Sequence, residues 1–259
     1  MNRLSAHIGY LYADLPLADR PAAAARDGFT AVEHPEPWAL PAGEMRALIR
    51  DLGLTFTQVT SGMGDPAQGE KGLAALPGRE TDFRRGFDRA ADYALGVGAG
   101  FVHPMAGLAP VDDAGARKTY AANLDWATDR LGGTGLRLLV EAIAIPGYHL
   151  ATLAYASDVQ DRFGAAQLFD TYNAASLGSD PADWIAANAA RISHVHIADH
   201  PGRHQPGTGK LDFPRILAAL QGAGYAGAIG FEYIPTVATS ASAAFLPGWK
   251  ALLSQRITA

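Results

Sequence analysis

A chain of 259 residues with 48% hydrophobic side chains can bury a sizeable core, and regular alternation of its elements would favour one large α/β domain over two small ones. It has no cysteine, which excludes disulfides, thiolate metal sites and a cysteine nucleophile. Its formal charge of −5 comes without a clustered basic stretch, so nothing marks a nucleic-acid footprint. No apolar run approaches the roughly 18 residues of a membrane span, and the first ten residues lack the apolar core of a signal peptide. The expectation is a cytoplasmic protein with neither a nucleic-acid nor a membrane partner, and with a homo-oligomer left open.

In chain order, residues 4–11 read as a first strand, followed by an alanine-rich helix over 16–27 that Gly28 closes. A short strand at 31–33 ends in Glu33, and a helix over 41–52, stopped by Gly53, leads to an alternating third strand at 54–60. Residues 61–77 form the longest irregular segment, glycine-rich with a charged centre at Glu70 and Lys71, as lids and binding loops are. A long amphipathic helix over 79–98 and a strand at 101–103 come next, then a helix over 112–131 opened by Asp112 or Asp113. The strand Arg137-Leu138-Leu139-Val140-Glu141 is a continuous apolar run tipped by a carboxylate. After it come a helix near 148–163, a strand over 165–169 ending at Asp170, a helix over 181–190, and a strand at 192–197 containing His194 and His196. A glycine-rich loop, a helix over 214–223, a strand ending at Glu232 and a helix near 241–254 complete the chain.

Eight strands alternating with about eight helices, with no linker or shift in composition, make a single (β/α)₈ TIM barrel over 1–259 the best reading. A doubly wound sheet is the rival, but no Gly-x-Gly-x-x-Gly follows the first strand. Barrel enzymes place their chemistry at the carboxyl ends of the strands. There Glu141, Asp170, His196 and Glu232 stand 29, 26 and 36 residues apart in succession, about one βα unit each. Three carboxylates and an imidazole aimed at one point could not all stay charged without a cation. Oxygen-rich ligands with one imidazole suit Mn²⁺ or Mg²⁺, with Co²⁺ also open. Read singly, each strand-end acid is more readily a cap or an ion-pair partner; four in phase make the metal reading. His194 lies deeper on the same strand face and reads as a hydrogen-bonded core histidine, while His7, His34 and His103 have at most a pocket-lining role. Arg203, in the loop after the seventh strand, could clamp an anionic substrate, although alone it reads as a solvated loop side chain.

Several phrases resemble those of the hydroxypyruvate isomerase family of xylose-isomerase-like barrels, and together they span nearly the whole chain. They are Gly69-Glu70-Lys71-Gly72 with Leu76-Pro77-Gly78-Arg79, Ile145-Pro146-Gly147-Tyr148-His149-Leu150, His194-Val195-His196-Ile197-Ala198-Asp199, Arg203 with Pro206-Gly207-Thr208-Gly209, and Glu232-Tyr233 with Pro235. The resemblance implies an aldose–ketose type isomerisation of a small hydroxy-carbonyl acid, of which hydroxypyruvate to tartronate semialdehyde is the namesake. It implies Mg²⁺ or Mn²⁺ held by Glu141, Asp170, His196 and Glu232, with Glu141 and Glu232 as the acid–base pair and Arg203 and Lys71 near the substrate carboxylate. Three segments depart from the pattern. The stretch Ala142-Ile143-Ala144-Ile145 is apolar and about three residues shorter, Asn173 stands where relatives have a substrate-contacting histidine, and Ile234 stands for a lysine. These point to a different, longer or less polar substrate. A sugar epimerase, a 2-oxo-tetronate isomerase or a sugar-acid-binding barrel without turnover remains open on the same scaffold. A zinc nuclease fits the acidic balance poorly.

Overall fold

Parallel strands covered on both faces are buried along almost their whole length, and among the strand residues of this protein only His34, Thr55, Phe101, Arg137 and Ser193 are not buried. The computed structural model describes residues 2–254. Among them eight strands, β1 (Leu4–His7), β2 (Ala31–His34), β3 (Thr55–Ser61), β4 (Phe101–Pro104), β5 (Arg137–Glu141), β6 (Ala166–Asp170), β7 (Ile192–Ile197) and β8 (Ala228–Phe231), hydrogen-bond in sequence order into a closed parallel barrel. Helices α1 (Arg20–Asp27), α2 (Ala42–Asp51), α3 (Glu80–Val97), α4 (Ala114–Leu131), α5 (Leu153–Phe163), α6 (Thr171–Ser176), α7 (Pro181–Asn188), α8 (Phe213–Gly222), α9 (Thr239–Ser242) and α10 (Leu246–Ser254) connect and follow them. None of the helices among these residues is long and apolar enough to cross a membrane.

The described residues pack as two compact units: those up to Glu33, Ala47–Thr55 and those from Leu168 onward form one, and His34–Arg46 with Phe56–Gln167 the other. In the first, β1 lies between β2 and β8, with His7 opposite Glu33 and Ser5 opposite Gly230. On the far side of β8, β7 sets His194 opposite Ala228 and His196 opposite Gly230. Phe231, Phe245 and Trp249 pack together in tilted and edge-to-face contacts, with ring centroids 5.1–5.5 Å apart. In the second, β4 pairs with β3 and β5, and Phe83 and Phe87 of α3 pack on Trp126 of α4.

Capping chemistry explains where the elements begin and end. Gly28 closes α1 with φ 97°, a conformation that costs little only without a Cβ. Asp113, rather than Asp112, caps α4 by accepting the Ala116 N–H. The helix expected near 148–163 starts only at Leu153, because Thr152 accepts the Tyr155 N–H. The preceding residues are engaged elsewhere: the Tyr148 hydroxyl accepts the Ala106 N–H and the His149 N–H donates to the Gly107 carbonyl. The expected last helix is broken into α9 and α10, and α6, not expected, starts directly on Asp170. The segment 61–77 is a built loop rather than a loose lid. Asp65 caps a 3₁₀ turn at Pro66–Gln68, Glu70 accepts the Asp65 N–H and pairs with Arg79, and Leu73 and Ala74 donate to the Met105 carbonyl.

Candidate metal and active centre

β8 ends at Phe231, so Glu232 is the first residue past it, held there by its N–H donating to the Ile197 carbonyl. Its carboxylate meets three cationic or potentially cationic groups. Arg203 Nη2 donates to Oε2 at 2.5 Å, His196 Nδ1 lies 3.1 Å from the same oxygen, and His7 Nε2 lies 3.4 Å from Oε1. Burial alone would raise the Glu232 carboxyl, but Arg203, His7 and His196 outweigh it and hold the group well below the usual carboxylate range. Asp170 is buried and moves the other way. Desolvation raises it and the neighbouring Glu232 charge adds to this, against Arg203, whose Nη2 reaches Asp170 Oδ2 at 3.4 Å. Asp170 Oδ1 meanwhile accepts the Asn173 N–H at 2.9 Å, which fixes the side chain at the start of α6.

Behind His196 lies a group that the sequence reading passed over. Glu33, fully buried one residue before the end of β2, places Oε2 2.8 Å from His194 Nε2 and Oε1 3.4 Å from His196 Nε2. Burial opposes the charge of Glu33, but the two imidazoles outweigh it and hold the carboxyl well below its ordinary value. His196 is raised well above the usual histidine value because Glu33 and Glu232 together overcome its desolvation. His194 is thus the hydrogen-bonded core histidine expected. His7 does more than line a pocket, since it touches the Glu232 carboxylate. Neither His7 nor Glu33 carried a spacing signal, because each sits on a four-residue strand and its partners are more than 160 residues away.

Glu141, buried at the end of β5, has Oε2 3.9 Å from His103 Nε2. One ligand-type atom from each of Glu141, Asp170, His196 and Glu232 lies within 4.8 Å of the other three, so the four residues chosen by phase do come together. Three carboxylates and an imidazole at this spacing form a donor set that fits a divalent cation. The two carboxyls with opposed shifts, Asp170 up and Glu232 down, are what crowded anions show when an organic cation such as Arg203 offsets only part of their charge.

The three residues assigned to substrate fare differently. Arg203, one-fifth exposed, is at the centre, its guanidinium carbon 5.6 and 5.4 Å from the rings of Tyr10 and Tyr172. Asn173 is buried beside Asp170 in the first turn of α6. Lys71 is exposed on its loop. Among the described residues, no contact places Lys71 with the cluster.

The family model described as xylose isomerase-like TIM barrel matches residues 21–248. A 2-oxo-tetronate isomerase of Cupriavidus necator is 40% identical over 254 residues, covering 95% of this chain and 98% of that one. The hydroxypyruvate isomerase of Escherichia coli is 30% identical over 93% of this chain and 96% of its own. A crystal structure described as an AP endonuclease, family 2, from Brucella melitensis superposes with a TM-score of 0.88 at 31% identity, covering 95% of this chain and 99% of that one. The chain belongs to the xylose isomerase-like TIM barrel family, in the branch that contains hydroxypyruvate and 2-oxo-tetronate isomerases.

Proposed function

We propose that this protein is a divalent-metal-dependent isomerase that interconverts a 2-oxo-3-hydroxy acid and its 3-oxo-2-hydroxy isomer, with the whole chain acting as one catalytic barrel. The observation that carries the reading is the convergence of Glu141, Asp170, His196 and Glu232. These four would hold Mg²⁺ or Mn²⁺. Such a cation supplies Lewis acidity, drawing electron density from a carbonyl oxygen and offsetting negative charge that develops beside it.

The remaining chemistry belongs to the chain. Glu232, whose carboxylate meets Arg203, His7 and His196, would take a proton from the hydroxyl-bearing carbon. Glu141, the other strand-end glutamate, returns a proton to the neighbouring carbon while the hydroxyl proton passes to the former carbonyl oxygen; running the reaction backwards exchanges their roles. The enediolate between these steps carries extra negative charge beside Arg203, whose planar fork also suits the substrate carboxylate. Tyr10 and Tyr172 keep that guanidinium in place from either side.

A four-carbon acid is the favoured substrate. The 40% identity to a 2-oxo-tetronate isomerase supports this choice.

The test has two stages. Chelated protein is titrated with Mn²⁺ and Mg²⁺ by calorimetry, and the loaded protein is incubated with 2-oxo-tetronate or hydroxypyruvate in deuterated water. Near-stoichiometric metal binding and metal-dependent deuterium incorporation, faster for the four-carbon acid, are expected. Absence of metal binding, or exchange that persists without metal, overturns the reading.

A further inference from the structure

We propose that Glu33 is a positioning residue for the metal centre, taking the Nε2–H of His196 so that His196 presents Nδ1 to Glu141, Asp170 and Glu232. The inference rests on the metal-dependent reading above and adds to it a residue from a strand that supplies no ligand.

Three observations carry it. The first is direction: the two nitrogens of His196 face different carboxylates, Nδ1 lying 3.1 Å from Glu232 Oε2 and Nε2 3.4 Å from Glu33 Oε1. A neutral imidazole carries one proton, and the carboxylate that accepts it decides which nitrogen keeps a lone pair for a metal. Glu33 lies on the Nε2 side, away from the proposed ligands, so a proton held there leaves Nδ1 available.

The second is the burial of Glu33. A fully buried carboxylate is expensive unless paired, and Glu33 divides its two oxygens between two histidines of one strand, Oε2 to His194 and Oε1 to His196. A pair with His194 alone would leave Oε1 with no task. The T-shaped contact of the two imidazoles, 4.9 Å between centroids, holds His196 against rotation about its ring axis.

The third is the space cleared for this arrangement. A Cβ on Gly230, opposite both Ser5 and His196 across the barrel strands, would lie 2.3 Å from Glu33 Oε1, 2.7 Å from His196 Cδ2 and 3.0 Å from His194 Nε2. Gly230 has no positive φ to explain the choice of glycine. The missing side chain is the room into which Glu33 reaches from β2 across to β7.

The decisive measurement needs no substitution. In Mg²⁺-loaded protein labelled with ¹⁵N-histidine, long-range proton–nitrogen correlation should show His196 protonated at Nε2, with Nδ1 unprotonated. Protonation at Nδ1 would overturn the proposal. Glu33→Gln, which keeps an acceptor of the same shape, should weaken Mg²⁺ binding less than Glu33→Met. The latter should lose roughly 10- to 100-fold, the range for removing a residue that orients a metal ligand. His194→Asn serves as the control: it removes the other half of the Glu33 pair and should lower thermal stability while leaving His196 protonated at Nε2. Equal metal affinity in Glu33→Met and wild type, or identical losses in Glu33→Met and His194→Asn, would reduce Glu33 to a structural carboxylate. Failure of the wild type to bind metal at all would instead refute the functional reading on which this inference rests.

Discussion

Arg203 Nη2 donates to Glu232 Oε2 at 2.5 Å and reaches Asp170 Oδ2 at 3.4 Å, so one guanidinium already serves two of the four clustered side chains. On the proposed function, Arg203 would compete with the metal for these oxygens and bind the substrate acid. A unit charge at 4 Å contributes about 4 kcal/mol at an effective dielectric of 20, and a third of that corresponds to about a tenfold change in affinity. Arg203→Gln should accordingly bind Mn²⁺ about tenfold more tightly by calorimetry. The same variant should lose roughly 10- to 100-fold in kcat/KM, the scale of one hydrogen bond to a charged group. Arg203→Lys should restore little of the turnover, because an ammonium has no planar fork for a carboxylate.

Glu141 and Glu232 are expected to fail in the same way when made neutral and to be told apart by metal binding. Each Gln variant should lower deuterium exchange into substrate by about 10²- to 10⁴-fold, the usual contribution of a positioned acid or base. Glu232 is also the residue on which Arg203, His7 and His196 converge. Glu232→Gln should therefore disturb the site without metal more than Glu141→Gln does, visible as a larger drop in the melting temperature of the chelated protein. Unchanged exchange in either variant would remove that glutamate from the acid–base assignment.

Metal should also stabilise the fold, because unfolded chain cannot bring Glu141, Asp170, His196 and Glu232 within 4.8 Å of one another. At a hundred times its dissociation constant, a bound ion contributes about 2.7 kcal/mol. At roughly 2–4 °C per kcal/mol for a chain of this size, the melting temperature should rise by about 5–10 °C over chelated protein. The sign with pH follows from the ligands. Carboxylates and imidazole bind metal only when unprotonated, and His196 is held protonated well above the usual histidine range by Glu33 and Glu232, so the increment should grow as the pH rises through that range and shrink as the pH falls. An increment that grows on acidification would point to a different donor set.

The barrel and the four converging residues were legible because both depend on local pattern. An apolar run ending in an acid at 137–141 and alternation through 192–197 mark β5 and β7 to the residue, and the spacing from Glu141 to Glu232 repeats the βα unit. What escaped is what depends on cross-barrel packing. Glu33 sits one residue before the end of a four-residue strand, and its meaning comes from two histidines 161 and 163 positions later. Gly230 looks like an ordinary strand glycine until the space beside it is seen to hold Glu33. The start of α5 was drawn too early because Tyr148 and His149 are strong apolar and aromatic neighbours whose hydrogen bonds go to 106 and 107 instead of to a helix. The short α6 carries no periodic signal of its own and starts because the Asp170 side chain caps it.

Asp199 gives the last prediction, because the arginine at the centre of the site hangs from it. This buried carboxylate accepts four backbone N–H groups of the loop after β7: His200 and Leu211 donate to Oδ1, Gly207 and Gly209 to Oδ2, at 2.7–3.1 Å. Its backbone N–H and C=O bind His204 and Arg203 in turn, and the Arg203 carbonyl accepts the Ile234 N–H just past Glu232. Arg203 itself is held at φ 58°, a conformation that a non-glycine residue keeps only when its surroundings impose it. Asp199→Asn supplies one amide NH₂ where the loop needs an acceptor, and so turns two hydrogen bonds into a clash of donors. The loss should be about 2–4 kcal/mol of stability by denaturant unfolding, the range for breaking a buried charged network. Catalysis should suffer through Arg203 alone: KM for the acid should rise, while Mn²⁺ affinity changes in the direction of Arg203→Gln. If Asp199→Asn destabilises the protein but leaves KM and metal affinity at wild-type values, the loop is held by other contacts and Arg203 does not depend on it.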